Sequence, residues 1–226
     1  MPNSLPEFDP ARLKMLIFDL DGTLLDTRRD LHEAVLAVQE AFGVEEQTLN
    51  TTVSYVGNGI TKLLERSLPR SAAYRLSEAD TVFRDYYDSH LIVHTTTYPF
   101  VTELLKQTSQ LQKAVLSNKS ERYVKLLVNH FQLAEYFFAV RGERDNVPKK
   151  PDPAAILDLL VETNCPPERA IIIGDTRNDI LAGKAAGIYT CGVTYGFRKR
   201  ADLEAHMPDL LIDSLDELIT LLEASH

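Results

Sequence analysis

What the chain lacks narrows its function first. No apolar run approaches the roughly 20 residues that a membrane-spanning helix needs. The first dozen residues carry Pro2, Pro6, Glu7, Asp9 and Pro10 instead of the basic-then-apolar pattern of a secretory leader, so a cytoplasmic protein without membrane partners is expected. Cysteine is scarce: Cys165 and Cys191 lack metal-ligand spacing and read as ordinary residues of a reducing compartment. Positive charge is in deficit, and the formal net charge of −9 opposes general attraction to nucleic acid or to anionic membranes. It says little about a small anionic substrate, whose recognition depends on local groups. The six histidines form no ligand cluster, and the chain has neither a repeat of fixed period nor a low-complexity segment. With 226 residues it can bury a substantial core, as one domain or as a large domain with a small one.

What is present is organised around Met15-Leu16-Ile17-Phe18-Asp19-Leu20-Asp21-Gly22-Thr23, where an apolar run stops at two carboxylates one residue apart. An unalternating apolar run suits a strand buried on both faces, as in a parallel sheet covered by helices. Asp19 and Asp21 fall where that strand ends, at the edge where open α/β sheets bind their ligands. Two unpaired negative charges at a buried edge lose hydration and repel each other. A divalent cation and a lysine would resolve the conflict.

Downstream, Thr27-Arg28-Arg29-Asp30 resembles a capping box ahead of Leu31, Val35, Val38 and Phe42 at helical spacing, with Gly43 as the stop. Further helices are predicted over Asn58 to Leu68 and from Ser77 to about Leu91, so residues 28 to about 92 form an all-helical insert with hinges near residues 26 and 94. Helices and short apolar runs then alternate. Strands are predicted at 114–116, 136–140, 170–173, 189–193 and 210–212, a helix starts with Pro153 at its first position, and Ser214-Leu215-Asp216-Glu217 caps the last one. Alternation of this kind implies parallel β-α units in a Rossmann-like, doubly wound α/β sheet. The expected domains are a core of residues 1–26 and 95–226 and a helical cap of residues 27–94 inserted after the first strand.

Three more polar groups follow strands or open helices: Ser117-Asn118-Lys119, Lys149-Lys150-Pro151, and Gly174-Asp175-Thr176 with Asp179. If those strands are neighbours, their ends converge on Asp19 and Asp21. Together the four motifs, in order, resemble the haloacid-dehalogenase-like superfamily of phosphatases and phosphotransferases along nearly the whole chain. The resemblance implies Asp19 as nucleophile and Asp21 as general acid and base. It implies Ser117, Asn118 and Lys150 around the phosphoryl group, with backbone amides near Leu20 and Asn118 assisting. Mg²⁺ would lie between Asp19, the Asp21 carbonyl and Asp175, while Asp179 would orient a metal-bound water or Lys150.

Within the superfamily the chain looks most like phosphoglycolate phosphatases. The residues that carry this are Asp26-Thr27 with Asp30-Leu31, Val56-Gly57-Asn58-Gly59 with Leu63, Leu64 and Arg66, Tyr86-Tyr87 through His94, and Tyr98-Pro99. Phe100 departs from the glycine common in relatives, which puts the local turn in question. The expected activity is hydrolysis of a small phosphomonoester, 2-phosphoglycolate first, by a monomer or homodimer whose only expected partner is a small phosphorylated metabolite. A sugar phosphate, a nucleotide, pyrophosphate, a mutase reaction and a non-catalytic phosphate-binding role are the alternatives. Gly57-Asn58-Gly59 reads equally as a loop facing the site or a plain turn, and Arg66 reads as solvent-facing more readily than as a carboxylate ligand.

Overall fold

The computed structural model describes residues 5–224. Strand β1 (Met15–Phe18) is buried at every position, as the apolar run requires. After it come the short β2 (Leu25–Asp26), four helices α1 (Arg28–Phe42), α2 (Leu49–Tyr55), α3 (Ile60–Ser67) and α4 (Leu76–His90), and β3 (Thr96–Thr97). The chain then alternates through α5 (Val101–Gln107), β4 (Gln112–Ser120), α6 (Glu121–His130), β5 (Ala139–Glu143), α7 (Ala154–Thr163), β6 (Ala170–Gly174), α8 (Arg177–Ala186), β7 (Tyr189–Val193), α9 (Arg200–Glu204), β8 (Leu210–Ile212) and α10 (Leu215–Glu223). Among the described residues no helix is long and apolar enough to cross a membrane.

Six strands form one parallel sheet in the order β5-β4-β1-β6-β7-β8, so the first strand of the sequence lies between two formed much later. Its side chains alternate between two apolar layers. Leu16 and Phe18 pack with residues of α5, α6 and α10, while Met15 and Ile17 pack with α7 and α8. This is the doubly wound Rossmann-like core, and the helices α1–α4 form the cap inserted after its first strand. The register sets the site: Phe18 lies opposite Val115 and Ile173, so Asp19 emerges beside the Leu116-Ser117 and Gly174-Asp175 segments.

The cap crosses to the core twice, and β2 pairs antiparallel with β3 at that crossing. The proposed capping box at Thr27 does not form. The Thr27 hydroxyl donates to Asp21 Oδ1 (2.6 Å), and the buried Asp30 carboxylate accepts from the backbone N–H groups of Val93, His94 and Thr95 and from the Thr95 hydroxyl. Thr27 thus binds back to the loop after β1, and Asp30 fastens the two crossings to each other through a contact that a local motif cannot reveal. Pro153 sits at the N-cap of α7 rather than inside its first turn, with Asp152 accepting from Ala154 N. Strand β5 begins at Ala139 rather than at Tyr136, because residues 134–136 form a 3₁₀ turn.

The cap is seated against the core. One apolar cluster runs from Val35, Leu64 and Phe83 in the cap to Leu24, Leu104 and Tyr123 in the core, with the Tyr87 ring 5.3 Å from that of Phe83 and meeting that of Tyr123 edge-on at 5.1 Å between centroids. Polar latches reinforce it. The Arg198 guanidinium, in the loop after β7, donates to the carbonyls of Val53 and Val56 at the end of α2, while the side chains of Asn118 and Asn178 each donate to the Gly57 carbonyl at 2.9 Å.

Candidate active site

Asp19 leaves β1 almost buried, with Oδ1 accepting from Leu20 N (2.7 Å) and lying 3.2 Å from Lys150 Nζ. No hydrogen bond among the described residues occupies its Oδ2. Burial lifts its pKa to about 7, with Lys150 pulling it down and Asp179 and Asp21 pushing it up. The Lys150 ammonium is fully surrounded. Burial opposes its charge, but Asp179 at 2.6 Å and Asp19 outweigh that and raise its pKa, and the Leu116 carbonyl accepts a further hydrogen bond.

Asp179, in the first turn of α8, has both carboxylate oxygens committed. Oδ1 takes the Lys150 ammonium, and Oδ2 accepts from Thr176 N (3.0 Å) and Thr176 Oγ1 (2.7 Å). A Cβ at Gly174 would overlap this carboxylate, so the strand end needs glycine for the contact to close. Asp175 is different. Its Oδ2 accepts from Phe197 N (2.7 Å), but its buried Oδ1 has no partner at all. Burial, then repulsion from Asp19 and Asp179, pushes this carboxyl well above the usual range. Gly22, at φ +83°, folds the loop after β1 against the Asp175 carboxylate, where any side chain would collide.

Ligand oxygens of Asp19, Asp175 and Asp179 lie within 4.8 Å of one another. Both Asp179 oxygens are engaged and Asp19 Oδ1 already meets Leu20 N and Lys150, so the least occupied oxygens are Asp19 Oδ2 and the orphaned Asp175 Oδ1. A buried carboxylate oxygen without a donor, next to a second acid, is the donor chemistry of a hard divalent ion. The residues present therefore fit such an ion.

Asp21 is partly exposed and held on two sides, by Thr27 Oγ1 and by Lys119 Nζ at 3.1 Å from Oδ1 and 3.3 Å from Oδ2. Lys119 lies on β4 two residues beyond Ser117, on the same side of the strand, with its ammonium 5.0 Å from the centre of the Tyr87 ring in the cap. Asn118 uses its side chain structurally: Oδ1 accepts from Lys150 N (2.9 Å), and Nδ2 donates to the carbonyls of Lys150 and Gly57. What it offers a ligand is its backbone, while its amide fixes the segment that carries Lys150.

Asp19, Asp21, Ser117 and Asn118 line one cavity of about 40 Å³ whose other wall is the cap: Leu31, Val56, Ile60 and Leu63, with the loop Gly57-Asn58-Gly59 between them. That loop faces the site. Arg66 does not; it is exposed and donates to the Tyr55 carbonyl. Four acids, two lysines and a hydroxyl thus meet at one edge of the sheet beneath the cap.

A family model described as haloacid dehalogenase-like hydrolase matches residues 16–193. The chain belongs to this family. It is 34% identical over 223 residues to phosphoglycolate phosphatase 1 of Pseudomonas aeruginosa, covering 95% of this chain and 81% of that protein. It is likewise 34% identical over 224 residues to a phosphoglycolate phosphatase of Vibrio vulnificus, covering 94% and 97%. A solved structure of a predicted phosphoglycolate phosphatase from Haemophilus somnus superposes with a TM-score of 0.86 at 25% identity, covering 93% of this chain and 98% of that one.

Three contributors to this haloacid dehalogenase-like site escape a reading of motifs. Lys119 belongs to the Ser117-Asn118-Lys119 group but is given no role by the motif, and its i+2 spacing from Ser117, which puts both on one face of the strand, is the signal for one. Thr27 looks like a helix cap, and Phe197-Arg198 follows β7 with no signal beyond its place at the same sheet edge.

Proposed function

We propose that this chain hydrolyses 2-phosphoglycolate with Mg²⁺ through an aspartyl-phosphate. That it is a phosphoric monoester hydrolase follows from its family and from relatives matched along nearly its whole length. The finer reading is carried by one observation: Asp175 Oδ1, orphaned and buried, lies beside an Asp19 whose Oδ2 is unbonded and whose Oδ1 touches Lys150.

In this reading Asp19 attacks phosphorus and the ester oxygen departs with a proton from Asp21. Asp21 then takes a proton from the water that cleaves the aspartyl-phosphate. Lys150 and Ser117 hold the phosphoryl oxygens, and Asp179 and Asn118 hold Lys150. Asp19, Asp175 and the Asp21 carbonyl would hold Mg²⁺, which when bound neutralises phosphate charge and lets an anionic nucleophile approach an anionic ester. Residues 27–94 act as the closing unit that excludes water. The cavity of about 40 Å³ suits a leaving group of few atoms, since that is room for roughly three waters. The protein works in the cytoplasm as a monomer or homodimer, with a small phosphorylated metabolite as its partner.

Purified protein is expected to release phosphate only with Mg²⁺, and kcat/KM is expected to rank phosphoglycolate above sugar phosphates, nucleotides and pyrophosphate. Asp19→Asn should lower kcat by about 10³-fold or more while leaving the fold intact by circular dichroism. Preference for another ester overturns the substrate, and near-normal turnover by Asp19→Asn overturns the nucleophile.

A further inference from the structure

Most of the cavity wall above Asp21 is apolar. Leu31, Val56, Ile60 and Leu63 come from the cap and Phe197 from the core. Among the described residues lining this cavity, Lys119 is the one cationic side chain. Its side chain is only 4% exposed, and its contacts are the Asp21 carboxylate and the face of Tyr87. Asp21 and the Tyr87 ring offset the cost of burying this ammonium and leave it the cation placed beside the leaving-group acid in an otherwise apolar pocket.

We propose that Lys119 is the specificity-determining residue that binds a carboxylate on the leaving group, an inference that rests on the phosphoglycolate reading of the site. Asp21 must approach the ester oxygen to donate its proton, and Lys119 Nζ lies 3.1 Å from Asp21 Oδ1. In a two-carbon hydroxy acid one methylene separates the ester oxygen from the carboxylate. With the ester oxygen in hydrogen-bond reach of Asp21, a carboxylate one methylene away is short enough to reach hydrogen-bond distance, about 3 Å, of the ammonium. Lys119 then bridges two anions, Asp21 and the substrate. An alkyl leaving group of the same size presents a methyl group to the charge and leaves it with Asp21 alone.

Other cations nearby are committed elsewhere. Arg198 donates to the Val53 and Val56 carbonyls, Arg28 is held by Asp26 and Tyr98, and Arg66 is exposed, outside this cavity, and donates to the Tyr55 carbonyl. Lys150 is enclosed by Asp19, Asp179 and the Leu116 carbonyl, on the phosphoryl side of the site.

The test compares phosphoglycolate with ethyl phosphate, which replaces the carboxylate by a methyl group, in wild type, Lys119→Met and Lys119→Arg. Wild type should favour phosphoglycolate by about 100-fold in kcat/KM, the scale of a buried charge-assisted contact. Lys119→Met should slow both substrates, because Asp21 loses a partner, but should also collapse the preference to a few-fold, mainly through KM for phosphoglycolate. Lys119→Arg should recover part of it. A Lys119→Met enzyme that keeps the wild-type ratio overturns the proposal, since Lys119 then only holds Asp21. A wild-type ratio near one overturns it without any variant, so a misfolded Lys119→Met does not protect it. If a larger carboxylated phosphomonoester outranks phosphoglycolate while Lys119→Met still loses its ratio to the matching alkyl phosphate, the substrate reading fails and the role of Lys119 stands.

Discussion

Three buried carboxylates, Asp19, Asp175 and Asp179, face a single enclosed ammonium, Lys150. Asp179 takes the shortest contact to it, so Asp19 and Asp175 carry the unresolved charge, and burial followed by mutual repulsion raises Asp175 well above the ordinary value. Asp19 rises to about 7. A carboxyl that holds its proton more tightly folded than unfolded contributes stability fully below the unfolded pKa of about 3.9 and loses it as pH climbs through the folded value. Without a divalent ion the Asp19 contribution should therefore be lost between about pH 4 and pH 7, with Asp175 acting in the same direction. Excess Mg²⁺ should raise Tm more at pH 8 than at pH 5, and equal shifts in thermal denaturation would sink the cluster's role. A separate strain sits at Phe100, which adopts φ 64°, ψ 0° at the N-cap of α5 with 41% of its surface exposed. The sequence flags this position, because the left-handed region favours glycine. Phe100→Gly removes the strain and little packing, and should stabilise the fold by up to about 1 kcal/mol in a urea titration, with activity unchanged.

Asp88 on α4 meets Arg122 and Tyr123 of α6 side chain to side chain, but the end of α2 and the loop after it are held through their backbone carbonyls, which is why that latch is hard to read in advance. Asn118 and Asn178 converge on one carbonyl, Gly57, and Arg198 on two, Val53 and Val56. The latch begins at the site: Phe197 donates its backbone N–H to Asp175 and lines the cavity, and the next residue grips the end of α2. Arg198 therefore acts as a positioning residue for closure. Charge-assisted hydrogen bonds of this kind contribute about 1–3 kcal/mol, so Arg198→Ala should shift the cap toward opening by roughly 5- to 150-fold. Hydrogen exchange in residues 49–60 should accelerate and KM should rise, while Arg198→Lys recovers part of both. Unchanged exchange with lowered kcat would mean that Arg198 acts on Asp175 and not on the cap. Long apolar-periodic elements such as α1, α4 and α6 are legible in the sequence because their buried stripes repeat. The short α2, α9 and the β2/β3 pair are not, since they exist through tertiary contacts: α2 through Arg198, the pair through each other at the hinge.

At the scale of the molecule, the sheet and the four motifs were readable for one reason: apolar strands buried on both faces end at polar residues, and parallel pairing brings those ends together. Asp19 and Asp175 follow directly from that rule. Lys119 and Thr27 do not, because their partner Asp21 is chosen by how the loop after β1 and the cap fold back. The two apolar layers also each enclose one cysteine. Cys191 on β7 lies in the layer continuous with the cap, and Cys165 after α7 lies in the layer formed by α7 and α8. Burial pushes the Cys191 thiol up to about 12 and raises Cys165 as well, so neither offers thiolate near neutral pH. Native protein should resist a thiol reagent at pH 8, and both thiols should react at once in denaturant. Under native conditions, single-cysteine variants retaining Cys165 or Cys191 should be labelled at the same rate, that of global unfolding, if the layers open together. Faster labelling of Cys165 alone would show that the α7–α8 layer opens as its own unit while the cap and its layer stay closed.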